Sequence, residues 1–220
     1  MNSIPYNPPH HDGLDLVFED DWLLVVNKPS GLLSVPGRGE DKRDSLASRV
    51  MAEYPDALIV HRLDMSTSGL MVLAKGKQAH RGLSLLFQDQ QMKKCYVAVV
   101  DGVVESLTGE VDLPLITDWP NRPRQKVDYE LGKPSLTSYR VIGHNDEAVT
   151  TRIELKPKTG RSHQLRVHML SIGHPIVGDE LYASRDVIDK ASRLLLHASA
   201  LSFTHPVTKQ RLSFKSDVPF

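Results

Sequence analysis

The feature that most limits how this chain can fold is a series of short apolar runs, each cut off by Gly, Pro or charged residues. Trp22-Leu23-Leu24-Val25-Val26, Leu70-Met71-Val72-Leu73-Ala74 and Tyr96-Val97-Ala98-Val99-Val100 are shorter than a typical helix and read as strands, the second of them buried, while the last strands, from Leu194-Leu195-Leu196 on, read as a sheet edge. Glu19-Asp20-Asp21 lies between Val17-Phe18 and the first run, which predicts a hairpin with a tight turn. Residues 133–142 and 150–155 alternate apolar and polar, as antiparallel strands do, around the polar turn His144-Asn145-Asp146-Glu147. Helical spacing occurs in three places. Leu46, Val50 and Tyr54 space residues 44–54, which end before Pro55; Leu83, Leu86 and Phe87 face inward over 78–90. The stretch 159–173 has Ser162 as its expected N-cap, Leu165, Met169 and Ile172 on one face, and Gly173 at its close. The expected fold is α/β in the broad sense (α+β). It is one domain around a mixed, mostly antiparallel sheet with flanking helices.

A chain of 220 residues can bury a sizeable core. No apolar run approaches the roughly 18 residues of a membrane span, so no membrane role is expected. The N-terminus shows no basic-then-apolar signal pattern, and residues 1–14, with Pro5, Pro8 and Pro9, are expected to form an extended lead. The single cysteine, Cys95, excludes an internal disulfide and a cysteine-based zinc site, and together these features favour the cytoplasm. Formal net charge is zero, but it is unevenly spread. Residues 1–60 carry ten Asp/Glu against five Lys/Arg, whereas residues 119–166 carry ten Lys/Arg against five Asp/Glu. A neutral protein of this kind can still present a basic face to phosphates.

The segment most suggestive of chemistry is His61-Arg62-Leu63-Asp64-Met65-Ser66-Thr67-Ser68-Gly69. A carboxylate at the mouth of a strand, two residues from a guanidinium, is a way to keep a nucleophile ionised at neutral pH. Short motifs of this type are more often plain turns, and spacing alone favours the turn. The loop 28–37 has a lysine among glycines and prolines but lacks the phosphate-loop pattern, so nucleoside triphosphate binding is not expected. From Asp118 to Val127, prolines alternate with Arg122, Arg124 and Lys126, which predicts an exposed basic loop rather than a regular element.

The wording of several blocks carries more than their spacing does. His61-Arg62-Leu63-Asp64 with Thr67-Ser68-Gly69 resembles the signature of the RluA-type pseudouridine synthases. Asn27-Lys28-Pro29-Ser30-Gly31-Leu32-Leu33, Lys94-Cys95-Tyr96-Val97-Ala98 and Thr159-Gly160-Arg161-Ser162-His163-Gln164-Leu165-Arg166 are similar to further blocks of that family. Leu196-His197-Ala198 and Phe203-Thr204-His205-Pro206 resemble its ending, so the likeness spans roughly residues 15–220 in collinear order. Asp118-Trp119-Pro120-Asn121-Arg122-Pro123 points to one branch within it.

The resemblance implies a pseudouridine-synthase-like catalytic domain over 15–220, without a separate N-terminal RNA-binding domain. It implies an isomerase acting on structured RNA (23S rRNA and the tRNA anticodon stem-loop), without cofactor or metal, as a monomer. By the same resemblance Asp64 is the catalytic carboxylate, Arg166 the cation that pairs with it, and Tyr96 the ring that lies against the target base. Arg62 would brace the vacated base stack, since a planar guanidinium stacks on bases. Arg122, Arg124, Lys126 and Arg161 would contact the RNA, and Leu196 would form an apolar wall under the uracil.

Isomerisation breaks the glycosidic bond, turns the base and rejoins it through carbon. One carboxylate suffices, either as nucleophile or as the base that removes a ribose proton. A catalytically silent RNA-binding protein would have no use for Asp64, Tyr96 and Arg166 together. A histidine-based metal hydrolase is disfavoured because no His-x-x-x-His pair occurs, and His163 and His168, five apart, do not share a helix face.

Overall fold

The computed structural model describes residues 6–220; the first five residues of the expected lead lie outside them. The fold is α+β, as expected, and the chain divides into two compact units. One comprises residues 6–92 with Ala200–Asp217, the other Lys93–Ser199 with Val218–Phe220.

In the first unit, β1 (Leu16–Glu19) and β2 (Leu23–Lys28) form the expected antiparallel hairpin. Asp20 makes its turn by accepting from the backbone N–H groups of Trp22 (2.7 Å) and Leu23 (2.9 Å). Helix α1 (Leu46–Glu53) starts at Ser45, whose side chain and that of Ser48 satisfy each other's backbone donors in a capping box. A short strand, β3 (Ala57–Ile59), pairs with β4 (Ser68–Lys75), which also pairs antiparallel with β2. Helix α2 (Gly76–Gln88) buries Ala79 and Leu83 against the same core as Leu23, Val25, Leu70 and Val72. The lead is not loose where it is described. Tyr6 Oη donates to the Asp44 carbonyl and accepts from Leu33 N–H, and Arg49 donates to the Pro9 carbonyl.

The second unit is built on β5 (Lys93–Asp101), β6 (Thr108–Asp112), β7 (Leu115–Thr117), β8 (Gln125–Val127), β9 (Leu136–Asn145) and β10 (Thr150–Pro157). The order β5-β10-β9-β6 is antiparallel throughout, while β7 and β8 form a separate two-stranded ladder. Helix α3 (Gln164–Ser171) presents Leu165 and Met169 to a core of Ala98, Val100, Ile153 and Leu155, with Ile172 packed alongside. A single helical turn, α4 (Arg185–Ile188), follows. Strand β11 (Leu196–Thr204) contributes residues to both units, and its second half pairs antiparallel with β12 (Arg211–Lys215).

Two expectations need correction. The stretch 159–173 is not helical from its start: the N-cap is His163, in the left-handed region at φ 55°, not Ser162. The reason is the Gln164 side chain, whose Oε1 accepts from Thr159 Oγ1 (2.7 Å) and Arg161 N–H (3.0 Å), folding that segment into a turn instead. Residues 118–127 are not wholly irregular either, since Gln125–Val127 pairs with Leu115–Thr117 around a 3-10 turn at Trp119–Asn121.

Candidate active site

Asp64 sits in the connection between β3 and β4, partly buried, and Arg62 beside it is exposed. What fixes this connection is the loop that leaves β2. Lys28, 1% exposed, directs its ammonium to the carbonyls of Pro29 (2.9 Å), Leu32 (2.7 Å) and Met65 (3.0 Å). Ser30 Oγ donates to the Ser66 carbonyl at 2.7 Å, and Gly31 N–H to the Met65 carbonyl at 2.9 Å. Ser34 Oγ donates to the Leu63 carbonyl (2.6 Å) and accepts from Leu63 N–H (3.1 Å). The backbone carbonyls of residues 63, 65 and 66 are therefore held from one side, which restricts where the Asp64 carboxylate can point. A buried ammonium survives here because three oxygens replace its water. Three residues before Asp64, His61 stacks on Phe87 with ring centroids 4.5 Å apart, and its Nε2 accepts from Val72 N–H at 3.1 Å.

The remaining expected residues belong to the second unit. Tyr96, on β5 opposite Leu155, is half-buried against the core. The adjacent thiol is chemically quiet: burial pushes the Cys95 thiol up to about 11, with Glu154 adding to it, so the thiolate is scarce at neutral pH. Leu196 is 3% exposed and belongs to the hydrophobic core, so only its edge could face a ligand.

Arg166, in the first turn of α3, is 4% exposed and is gripped by Asp179, itself 1% exposed. Nε donates to one carboxylate oxygen at 2.8 Å and an Nη to the other at 2.6 Å, the bidentate geometry that fixes a guanidinium plane. The Tyr182 ring lies under the same guanidinium, 5.1 Å from centroid to Cζ. Neither Asp179 nor Tyr182 nor Lys28 was among the residues expected from the sequence. Only Lys28 had a local signal there, inside a block already singled out.

The basic residues divide by what they touch. Arg122, Arg124 and Lys126 are all exposed around the β7–β8 hairpin. The Arg122 guanidinium lies 4.3 Å over the ring of Trp119, which is 64% exposed, and Lys126 reaches Asp128 at 3.3 Å. Arg161 is exposed at the turn before α3 and donates to the Pro134 carbonyl at 3.3 Å. Elsewhere in the basic half the charges are partly matched: Arg140 and Lys156 both reach Glu154, and Lys158 lies 3.8 Å from Glu110.

Comparison with known proteins agrees along the whole chain. Residues 22–171 match the RNA pseudouridylate synthase family. The dual-specificity RNA pseudouridine synthase RluA of Escherichia coli (strain K12) is 54% identical over 220 residues, covering all of both chains. RluA of Vibrio parahaemolyticus is 57% identical over 209 residues, 94% of this chain and 84% of that one. Among solved structures, human RNA pseudouridylate synthase domain containing 1 superposes with a TM-score of 0.81 at 29% identity, over 97% of this chain and 87% of the other. No helix among the described residues is long and apolar enough to cross a membrane. The chain belongs to the RNA pseudouridine synthase family and is an RNA-modifying isomerase.

Proposed function

We propose that this enzyme isomerises particular uridines in 23S rRNA and in the tRNA anticodon stem-loop. It does so as a monomer of the cytoplasm, with residues 15–220 as its catalytic domain and no cofactor. The observation that carries the choice within the family is full-length identity of 54% to a relative named as dual-specific.

The roles proposed for its residues are those that the family resemblance implies. The Asp64 carboxylate either attacks the nucleotide or removes a ribose proton. The N1–C1′ bond breaks, the base turns, C5 bonds to C1′, and the C5 proton is lost as N1 gains one. Atoms balance within the nucleotide, so no oxidant or energy source enters. Arg166 is the cation that favours the ionised form of Asp64. Tyr96 stacks on the extruded uracil, and its hydroxyl assists removal of the C5 proton. Arg62 braces the position that the flipped base leaves, Leu196 supplies an apolar edge, and Arg122, Arg124, Lys126 and Arg161 contact phosphates.

Supporting this reading are the dense hydrogen bonding around the Asp64 connection and the bidentate seat of Arg166, because catalytic groups need fixed geometry. Mapping pseudouridine in the RNA of cells with and without the gene tests it. Loss of sites in both rRNA and tRNA is expected. Loss confined to one class would reduce the enzyme to single specificity, and no loss in either would overturn the reading.

A further inference from the structure

The segment 178–182 does more than seat one arginine. Asp179 accepts four donors: the Nε and Nη of Arg166, and the backbone N–H groups of Leu181 (3.0 Å) and Tyr182 (3.3 Å). The carboxylate is thus held by its own turn before it holds the guanidinium. That turn is itself pinned, because Gly178 has φ 76° and a Cβ there would collide with the Arg193 carbonyl oxygen. Three residues after Asp179, Tyr182 places its ring under Arg166 and brings its hydroxyl to Gln125. Its Oη accepts from Gln125 N–H at 2.7 Å and lies 2.7 Å from His163 Nδ1.

Gln125 opens β8, the return strand of the basic hairpin. A ladder of three residues a side is too small to hold its own shape in water and takes its register from whatever it is tied to. Leu115 on β7 exchanges two backbone hydrogen bonds with Lys133, and Gln125 on β8 is tied to Tyr182. The left-handed N-cap His163 gives the same hydroxyl a second anchor, at the start of the helix that carries Arg166.

We propose that Asp179 and Tyr182 are positioning residues. Asp179 fixes the Arg166 guanidinium, and Tyr182 ties the hairpin bearing Arg122, Arg124 and Lys126 to that same arginine, so that phosphate contact and the catalytic cation share one register. The proposal rests on the functional reading above. The two residues are expected to act differently. Tyr182→Phe keeps the ring under Arg166 and removes the hydroxyl's ties to the hairpin and to His163. Asp179→Asn keeps the shape of the turn and weakens the grip on the guanidinium.

The test combines three measurements on the full chain with one uridine-containing RNA hairpin: amide exchange at Gln125 by NMR, affinity by filter binding, and kcat and KM for pseudouridine formation. For Tyr182→Phe, exchange at Gln125 should quicken about tenfold or more. KM and Kd should rise about fivefold with kcat changed by less than about twofold. For Asp179→Asn, kcat should fall about tenfold or more while Kd stays within about threefold. Unchanged exchange and affinity in Tyr182→Phe would overturn the tie, and it is the variant least disposed to misfold. Equal losses of kcat and affinity in both variants, tracking melting temperature, would reduce both residues to scaffold and overturn the proposal. If the wild-type chain makes no pseudouridine, the functional reading fails, while exchange at Gln125 and RNA affinity still decide the coupling.

Discussion

At the residue scale the central claim is that one carboxylate carries the chemistry. Asp64→Asn removes the nucleophile or base and leaves the backbone clamp from Lys28, Ser30 and Ser34 intact. Isomerisation should fall to a trace while RNA affinity stays within about threefold; appreciable turnover by the Asn variant would remove Asp64 from the role. Arg166→Met tests a different balance. Its partner Asp179 is nearly inaccessible to water, so the substitution strands a buried carboxylate with only two backbone donors from Leu181 and Tyr182. Breaking such a pair costs about 3–5 kcal/mol, so the melting temperature should drop together with activity. A variant that melts normally and turns over normally would contradict both the pairing and the role. Tyr96→Phe retains the ring and loses the hydroxyl. Binding should survive and the rate at saturating RNA should fall; full activity would assign Tyr96 to stacking and packing alone.

At the element scale the β7–β8 hairpin is the proposed contact with RNA. Each phosphate contact on single-stranded RNA contributes about 0.7 to the log–log salt slope, so replacing Arg122, Arg124 and Lys126 together by Ala should flatten it by roughly two units. The contact between Lys126 and Asp128 takes back part of one charge, so the three need not contribute equally. Parallel plots of affinity against salt for the two proteins would mean that the hairpin is solvated surface, leaving Lys156, Lys158 and Arg161 as the basic face. The hairpin also marks where the sequence stops being legible. Strands of six to ten residues, such as β2, β4, β5, β9 and β10, and helices α1 and α2 follow from apolar periodicity, because burial of one face is written locally. Short β3, β6 and α4, and the three-residue strands β7 and β8, carry too few positions for any period to emerge. The start of α3 was obscured by one side chain, Gln164, satisfying the backbone that a longer helix would have used. The site divides in the same way. Asp64 and Arg166 stand inside recognisable blocks, but the partner of Arg166 is 13 residues away and the tie from Tyr182 to Gln125 spans 57. Such long-range pairings have no local pattern to read.

At the scale of the whole molecule, a formal net charge of zero hides a fold that should be sensitive to acid. His197, 2% exposed, has its pKa pushed down to about 4 by burial and then by the nearby Arg193 guanidinium. His168, inaccessible to solvent, is lowered in the same direction by burial; its Nε2 donates to the Leu113 carbonyl and its Nδ1 accepts from Thr137 Oγ1. An unfolded chain protonates both near the ordinary histidine value of about 6.5, whereas the folded chain resists. Between about pH 6.5 and pH 4 the unfolded state therefore binds more protons, and stability must decline as pH falls through that window. Asp44, held low chiefly by its hydrogen bonds from Arg49, adds a further loss at lower pH, when the carboxylate of the folded state finally protonates. The histidine contribution separates from the carboxylate one by where it begins. In wild-type protein, urea unfolding should show stability falling from about pH 6.5 downward, by up to about 1.4 kcal/mol per pH unit for each histidine kept neutral. His197→Gln should flatten that decline between pH 6.5 and 4 and leave the steeper loss below pH 4 in place. If both proteins lose stability with the same slope across the upper window, His197 takes up its proton in the folded state and its burial is not what makes the fold acid-sensitive.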